Sequence, residues 1–67
     1  MPIAIINIIE GRSDDKKQAL IASVSHAIAQ SLDAPLESIR VLIQEYPDNL
    51  WAAGGETIRE RRSKASQ

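Results

Sequence analysis

Seven consecutive residues, Ile3-Ala4-Ile5-Ile6-Asn7-Ile8-Ile9, constrain this chain more than any other stretch, because five of them are Ile and they fall on both parities. Short, β-branched and closed by Glu10-Gly11, the run reads together with Pro2 as a strand over residues 2–9. A strand with one face in water alternates apolar and polar residues, so a strand with Ile on both faces needs cover on both. One helix covers one face. The other is expected against a second subunit.

Length sharpens that expectation. A chain of 67 residues makes one small domain, 1–67, and a core of that size contributes only roughly 3 to 5 kcal/mol by itself. Some further staple is needed. With no Cys, disulfides and thiolate metal sites are excluded, and the single His, His26, cannot build a zinc site on its own. Self-association is the staple that remains, and the reading calls for no cofactor and no metal.

A net charge of −1 with both signs mixed along the chain gives no field for nucleic acid or an anionic membrane surface. No apolar run reaches membrane-spanning length and no signal-peptide pattern opens the chain, which predicts a soluble cytoplasmic protein. The end, 59–67, is polar and locally basic at Arg59, Arg61, Arg62 and Lys64, and is expected to be a frayed tail of solvated charge.

Ser13 is placed to cap a helix with Asp14 and Asp15 in its first turn. Leu20, Ile21, Val24, Ala27, Ile28 and Leu32 then recur at steps of three and four, one helical face, and Pro35 predicts an end near Leu32 or Asp33. Residues 39–46, IRVLIQEY, read as a second strand with Arg40, Leu42 and Gln44 on the face opposite Val41 and Ile43. Strand, helix, strand at this spacing predicts a βαβ unit with parallel strands. Arg40 then points away from the helix, where a bound carboxylate would satisfy it. Beyond Tyr46, Pro47-Asp48-Asn49 is a turn, and Leu50 to Gly55 predicts a short hairpin laid over a neighbouring subunit.

Pro2 carries the chemistry. Inside a chain a proline nitrogen is an amide without basicity. Removal of Met1 would make it a free secondary amine. Among apolar groups and near cations such an amine loses part of the advantage of its charged form, so its pKa falls toward the working pH of a proton shuttle.

MPIAIINIIEGRSDDKKQALI, SLDAPLESIRVLIQE and WAAGGE together resemble the 4-oxalocrotonate (2-hydroxymuconate) tautomerase family, from Met1 to about Arg62. The resemblance implies an α/β fold, a β-α-β protomer with a C-terminal hairpin. Two protomers would make a four-stranded sheet, and three such dimers a homohexamer. It also implies that Pro2 shuttles a proton while a 2-hydroxydienoate becomes an enone. Arg12 and Arg40 would then bind a small dicarboxylate or 2-oxo acid, and Trp51 and Ile9 would wall the pocket. Members commonly have Phe where this chain has Trp51, and Leu50 and Ala52-Ala53 also depart from the commoner pattern. Of the two arginines, Arg40 is assigned to the oxygen that develops charge and Arg12 to holding a carboxylate, each by a planar fork.

Two other functions compete with tautomerisation. A hydratase or dehalogenase on the same frame needs a carboxylate that activates water and usually a further Arg near the end of the first strand; here that strand offers Ile8 and Ile9, and alanines follow Trp51. A non-catalytic oligomerisation or ligand-carrier subunit would tolerate a retained Met1. His26 reads as a solvated surface residue, and Glu10 as structural.

Overall fold

The structure is a computed structural model and describes residues 1–65. Its elements are β1 (Ile3–Ile9), α1 (Asp14–Leu32), a 3-10 turn (Leu36–Ser38), β2 (Arg40–Tyr46), β3 (Ala52–Ala53), β4 (Glu56–Thr57) and α2 (Ile58–Ala65). The strands β1 and β2 pair in parallel, from Ile3 beside Arg40 to Ile9 beside Tyr46. Helix α1 connects them, giving the expected β-α-β unit, and β3 pairs antiparallel with β4.

Local chemistry accounts for each boundary. Ser13 Oγ accepts the Lys16 N–H at 3.4 Å, and α1 ends on Asp33 in the left-handed region (φ 53°), where its own N–H reaches the Ala29 carbonyl. A short polar side chain tolerates that conformation better than most. The β3–β4 turn is Gly54-Gly55, with φ of 63° and 83°. Two successive positive φ values define a type I′ hairpin turn and favour glycine at both places.

Alternation assigns the two faces of the sheet. Ala4, Ile6 and Ile8 of β1, with Val41 and Ile43 of β2, are half-buried on the helix side. Ile3, Ile5 and Leu42 stand on the other side, 62%, 57% and 47% exposed. Among the described residues only Ile39 is buried, at 8% exposure. The radius of gyration is 15.6 Å, against about 11 Å for a compact chain of this length. No helix among the described residues is long and apolar enough to cross a membrane.

Two sequence expectations need correction. Residues 58–65 form helix α2 rather than a frayed end, because Thr57 and Glu60 cap it and its basic side chains find carboxylates upstream; the rest of that expectation, on residues 66 and 67, lies outside the described residues. On α1, Ile21, Ala27 and Leu32 are exposed and Ser25 and Ala29 take half-buried places instead. Two strands make a platform only about 5 Å between strand axes, too narrow to cover the whole apolar stripe. Lys17 bonds Glu45 at 2.9 Å and Asp14 at 3.3 Å, tying α1 to β2. Glu45 first, then Asp14, raises its pKa above the ordinary lysine value.

Candidate active site

The five residues singled out by sequence fall into two groups at opposite ends of the sheet. At the starting end, the Arg40 N–H donates to the Pro2 carbonyl at 3.0 Å. Register makes this unavoidable: Arg40 opens β2 opposite Ile3, so Pro2 lies one residue before the first pair. Pro2 is half-buried and its nitrogen is bonded to Met1, which is 83% exposed. The Arg40 guanidinium folds back over the 3-10 turn, Nη1 donating to the Glu37 carbonyl at 2.8 Å and the Ile39 carbonyl at 3.3 Å.

At the finishing end, Ile9, Arg12 and Trp51 line one hollow of about 310 Å³ with Asn7, Ile8 and Leu20. That volume lies at the small end of ligand sites, which run from about 300 Å³ upward. Gly11, at φ 130°, turns the chain out of β1 in a conformation that side chains rarely adopt, and Arg12 follows at the rim. Trp51 meets the edge of Tyr46, ring centroids 6.0 Å apart at 68°, an arrangement the two ring quadrupoles favour. A second hollow that shares Asn7 and Trp51 with the first is lined also by Tyr46, Leu50 and Ala52.

The polar residues of this end were missed by sequence reasoning. Asn7, Gln44 and Tyr46 share the open face by strand alternation, and the Tyr46 hydroxyl lies 3.1 Å from Asn7 Oδ1 and 3.0 Å from Gln44 Oε1. One proton serves two acceptors there. The signal was available: three polar side chains at the same parity, ending a face otherwise apolar at Ile3, Ile5 and Leu42.

Electrostatics sets Arg12 and Arg40 apart from the other arginines. Arg59, Arg61 and Arg62 are all paired with Asp48 or Glu56. Among the described residues neither Arg12 nor Arg40 has a carboxylate within ion-pair distance. A planar guanidinium without an internal carboxylate is suited to a carboxylate or enolate oxygen brought from outside.

Comparison with known proteins joins this geometry to a chemistry. A family model described as "Tautomerase enzyme" matches residues 2–61. The chain is 61% identical over 56 residues to the 2-hydroxymuconate tautomerase of Pseudomonas sp. (strain CF600), covering 84% of this chain and 89% of that one. It is 56% identical over 59 residues to the enzyme of the same name from Stutzerimonas stutzeri, covering 88% and 94%. Among solved structures, it is similar to a 4-oxalocrotonate tautomerase homologue of the tomaymycin biosynthetic pathway, with TM-score 0.91, 34% identity, and coverage of 92% and 95%. A heterohexamer 4-oxalocrotonate tautomerase from Chloroflexus aurantiacus J-10-fl gives TM-score 0.87, 38% identity, and coverage of 90% and 97%. The match begins at Pro2 and runs through both strands and the hairpin, so the frame that holds the two groups of residues is the family's frame: this chain belongs to the tautomerase enzyme family and is an isomerase.

Proposed function

We propose that the chain converts 2-hydroxymuconate or a closely similar 2-hydroxydienoate to its 2-oxo enone, with Pro2 as the proton shuttle once Met1 is removed. The substrate named for the Pseudomonas and Stutzerimonas relatives supports the choice. In the step, the Pro2 amine accepts the proton of the 2-hydroxyl group. The O–H electron pair becomes the second bond of C2=O, the C2=C3 pair moves to C3=C4, and the C4=C5 pair takes the proton back from Pro2 at C5. Atoms and charge balance with no other reactant.

Arg40 stabilises the negative charge that develops on the 2-oxygen during that transfer, an interaction stronger in the transition state than in the ground state. Arg12 holds a carboxylate of the substrate, and Trp51 and Ile9 supply the dry wall. The hollow at Trp51 is lined by no carboxylate that would activate water, which disfavours hydration. The observation that carries the proposal is the fixed adjacency of Pro2 and Arg40 across the parallel pair.

Such a site takes its two ends from different protomers. The strands hold the ends about 20 Å apart, and the open face leaves Ile3, Ile5 and Leu42 to be covered, worth about 1 kcal/mol for each half-exposed side chain. A homohexamer built as a trimer of dimers fits this need, and the Chloroflexus relative is itself a heterohexamer. The test combines intact mass with an NMR titration of the Pro2 nitrogen and a ketonisation assay. Expected are loss of Met1, an amine largely unprotonated near neutrality, and a preference for 2-hydroxymuconate over a monocarboxylate analogue. An active protein that retains Met1 overturns the role of Pro2.

A further inference from the structure

Helix α2 is attached to the segment that carries Trp51 through both backbone and side chains. The Ile58 N–H donates to the Trp51 carbonyl at 2.9 Å, and the Arg59 N–H to the Asp48 carbonyl at 3.1 Å. The first N–H groups of a helix have no partner within it; here two of them land on the loop between β2 and β3. Thr57 and Glu60 close a capping box, the Glu60 N–H reaching Thr57 Oγ1 at 3.1 Å and the Thr57 N–H reaching Glu60 Oε1 at 3.0 Å.

The side chains repeat the attachment. Asp48 receives Arg59 Nε at 2.8 Å and Arg62 Nη1 at 3.3 Å. Glu56 receives Arg61 Nε at 3.0 Å and also Lys64, while Arg61 Nη2 reaches the Ala53 carbonyl at 3.4 Å. A single exposed ion pair contributes little. Here each carboxylate is held twice, and the backbone bonds fix the same loop.

We propose that α2 is a clasp that positions Trp51, with Asp48 and Glu56 as positioning residues that set how well the site holds its substrate. The proposal rests on the reading of Trp51 as a pocket wall. Trp51 lies outside any strand, between the turn at Pro47 and a hairpin whose strands are two residues each, and an isolated hairpin is marginal in water. Its ring has the edge contact with Tyr46, and its carbonyl has α2. Without the clasp the wall loosens, while Pro2 and Arg40 at the far end of the sheet are undisturbed.

The test compares the full chain with a chain ending at Thr57 and with full-length Asp48→Asn. Two properties are measured: ketonisation of 2-hydroxymuconate, and the fluorescence anisotropy of Trp51, the single tryptophan. Truncation is expected to raise KM about three- to tenfold and Asp48→Asn about two- to threefold, with kcat within about twofold of the full chain. Trp51 anisotropy falls in both, Asp48→Glu restores it, and about 0.5 M sodium chloride lowers it in the full chain but not in the truncated one. Unchanged KM and anisotropy on truncation overturn the clasp, as does a fall in kcat at constant KM. Should the truncated chain not fold, Asp48→Asn and the salt series decide by the same criteria. Absence of ketonisation by the full chain overturns the reading of the site, while the anisotropy series still decides the clasp.

Discussion

The two ends of the β1–β2 sheet are made by the same pair of strands and hold complementary equipment. The starting end has Pro2 and Arg40, joined through the backbone, and no aromatic residue. The finishing end has Arg12 at a hollow walled by Ile9 and Trp51, with Tyr46 behind it, and no basic amine aimed at the hollow. On the proposed reading, neither end alone is a complete site for moving a proton within an anionic substrate. A two-fold axis laying strands antiparallel would bring the start of one protomer to the finish of its partner, and incompleteness at each end would then be a reason for assembly. Covering Ile3, Ile5 and Leu42 of the open face would supply the drive.

The largest way to break the comparison is to block the starting end. Extending the chain by one residue before Pro2, with Met1 processing prevented, turns the amine into an amide; kcat/KM is expected to fall by about 10²- to 10⁴-fold, the usual worth of a general acid–base group, while Trp51 fluorescence is unchanged. Next, Arg40→Ala removes the cation proposed to face the reacting oxygen and should lower kcat about 10²-fold with little change in KM. Arg12→Ala, at the other end, should raise KM about tenfold and leave kcat within a few-fold. Equal effects of the two substitutions on the two parameters would erase the distinction between the ends.

Mixing sharpens it. When Arg40→Ala chains are refolded together with Arg12→Ala/Trp51→Ala chains, random assembly gives about a quarter of the sites an intact Arg40 from one protomer and an intact finishing end from another. Recovery to about a quarter of the wild-type rate per site is therefore expected. No recovery would mean that each site is drawn from one protomer.

What the sequence made legible follows the same division between burial and pairing. Strand β1 announced itself because β-branched residues in an unbroken run have few alternatives, and α1 because Ser13 and Pro35 bracket an apolar stripe. Arg40 beside Pro2 was not legible, because parallel pairing leaves the register open; the pairing of Ile3 with Arg40 is what places them together. Helix α2 was not, because nothing in its eight residues, IRERRSKA, is amphipathic enough to bury. Its partners, Asp48 and Glu56, lie upstream at separations of 5 to 14 residues, and the one local sign was Thr57 three places before Glu60. The edges of the α1 stripe misled for a related reason: Ala27 and Leu32 fit the period, but a sheet of two strands has no surface left to meet them.

The smallest expected effect tests whether α2 belongs to the finishing end as a charged cap. The Thr57 backbone N–H first, and its hydroxyl second, lower the Glu60 pKa below the ordinary glutamate value by stabilising the carboxylate. A group whose folded pKa is depressed stabilises the fold above its unfolded pKa, and that contribution fades as the pH falls through the folded value. Acidification from neutrality to just above the ordinary glutamate range should therefore leave α2 intact, and further acidification should unwind it. A small drop in helical circular dichroism would be seen, with a fall in Trp51 anisotropy over the same interval. Glu60→Gln keeps the shape of the side chain and removes its titration, so its dichroism should show a smaller step, the remainder coming from protonation of Asp48 and Glu56. If wild type and Glu60→Gln lose helix along the same acid curve, the Glu60 carboxylate is not what holds the start of α2, and the attachment of Trp51 rests on Asp48 and Glu56 alone.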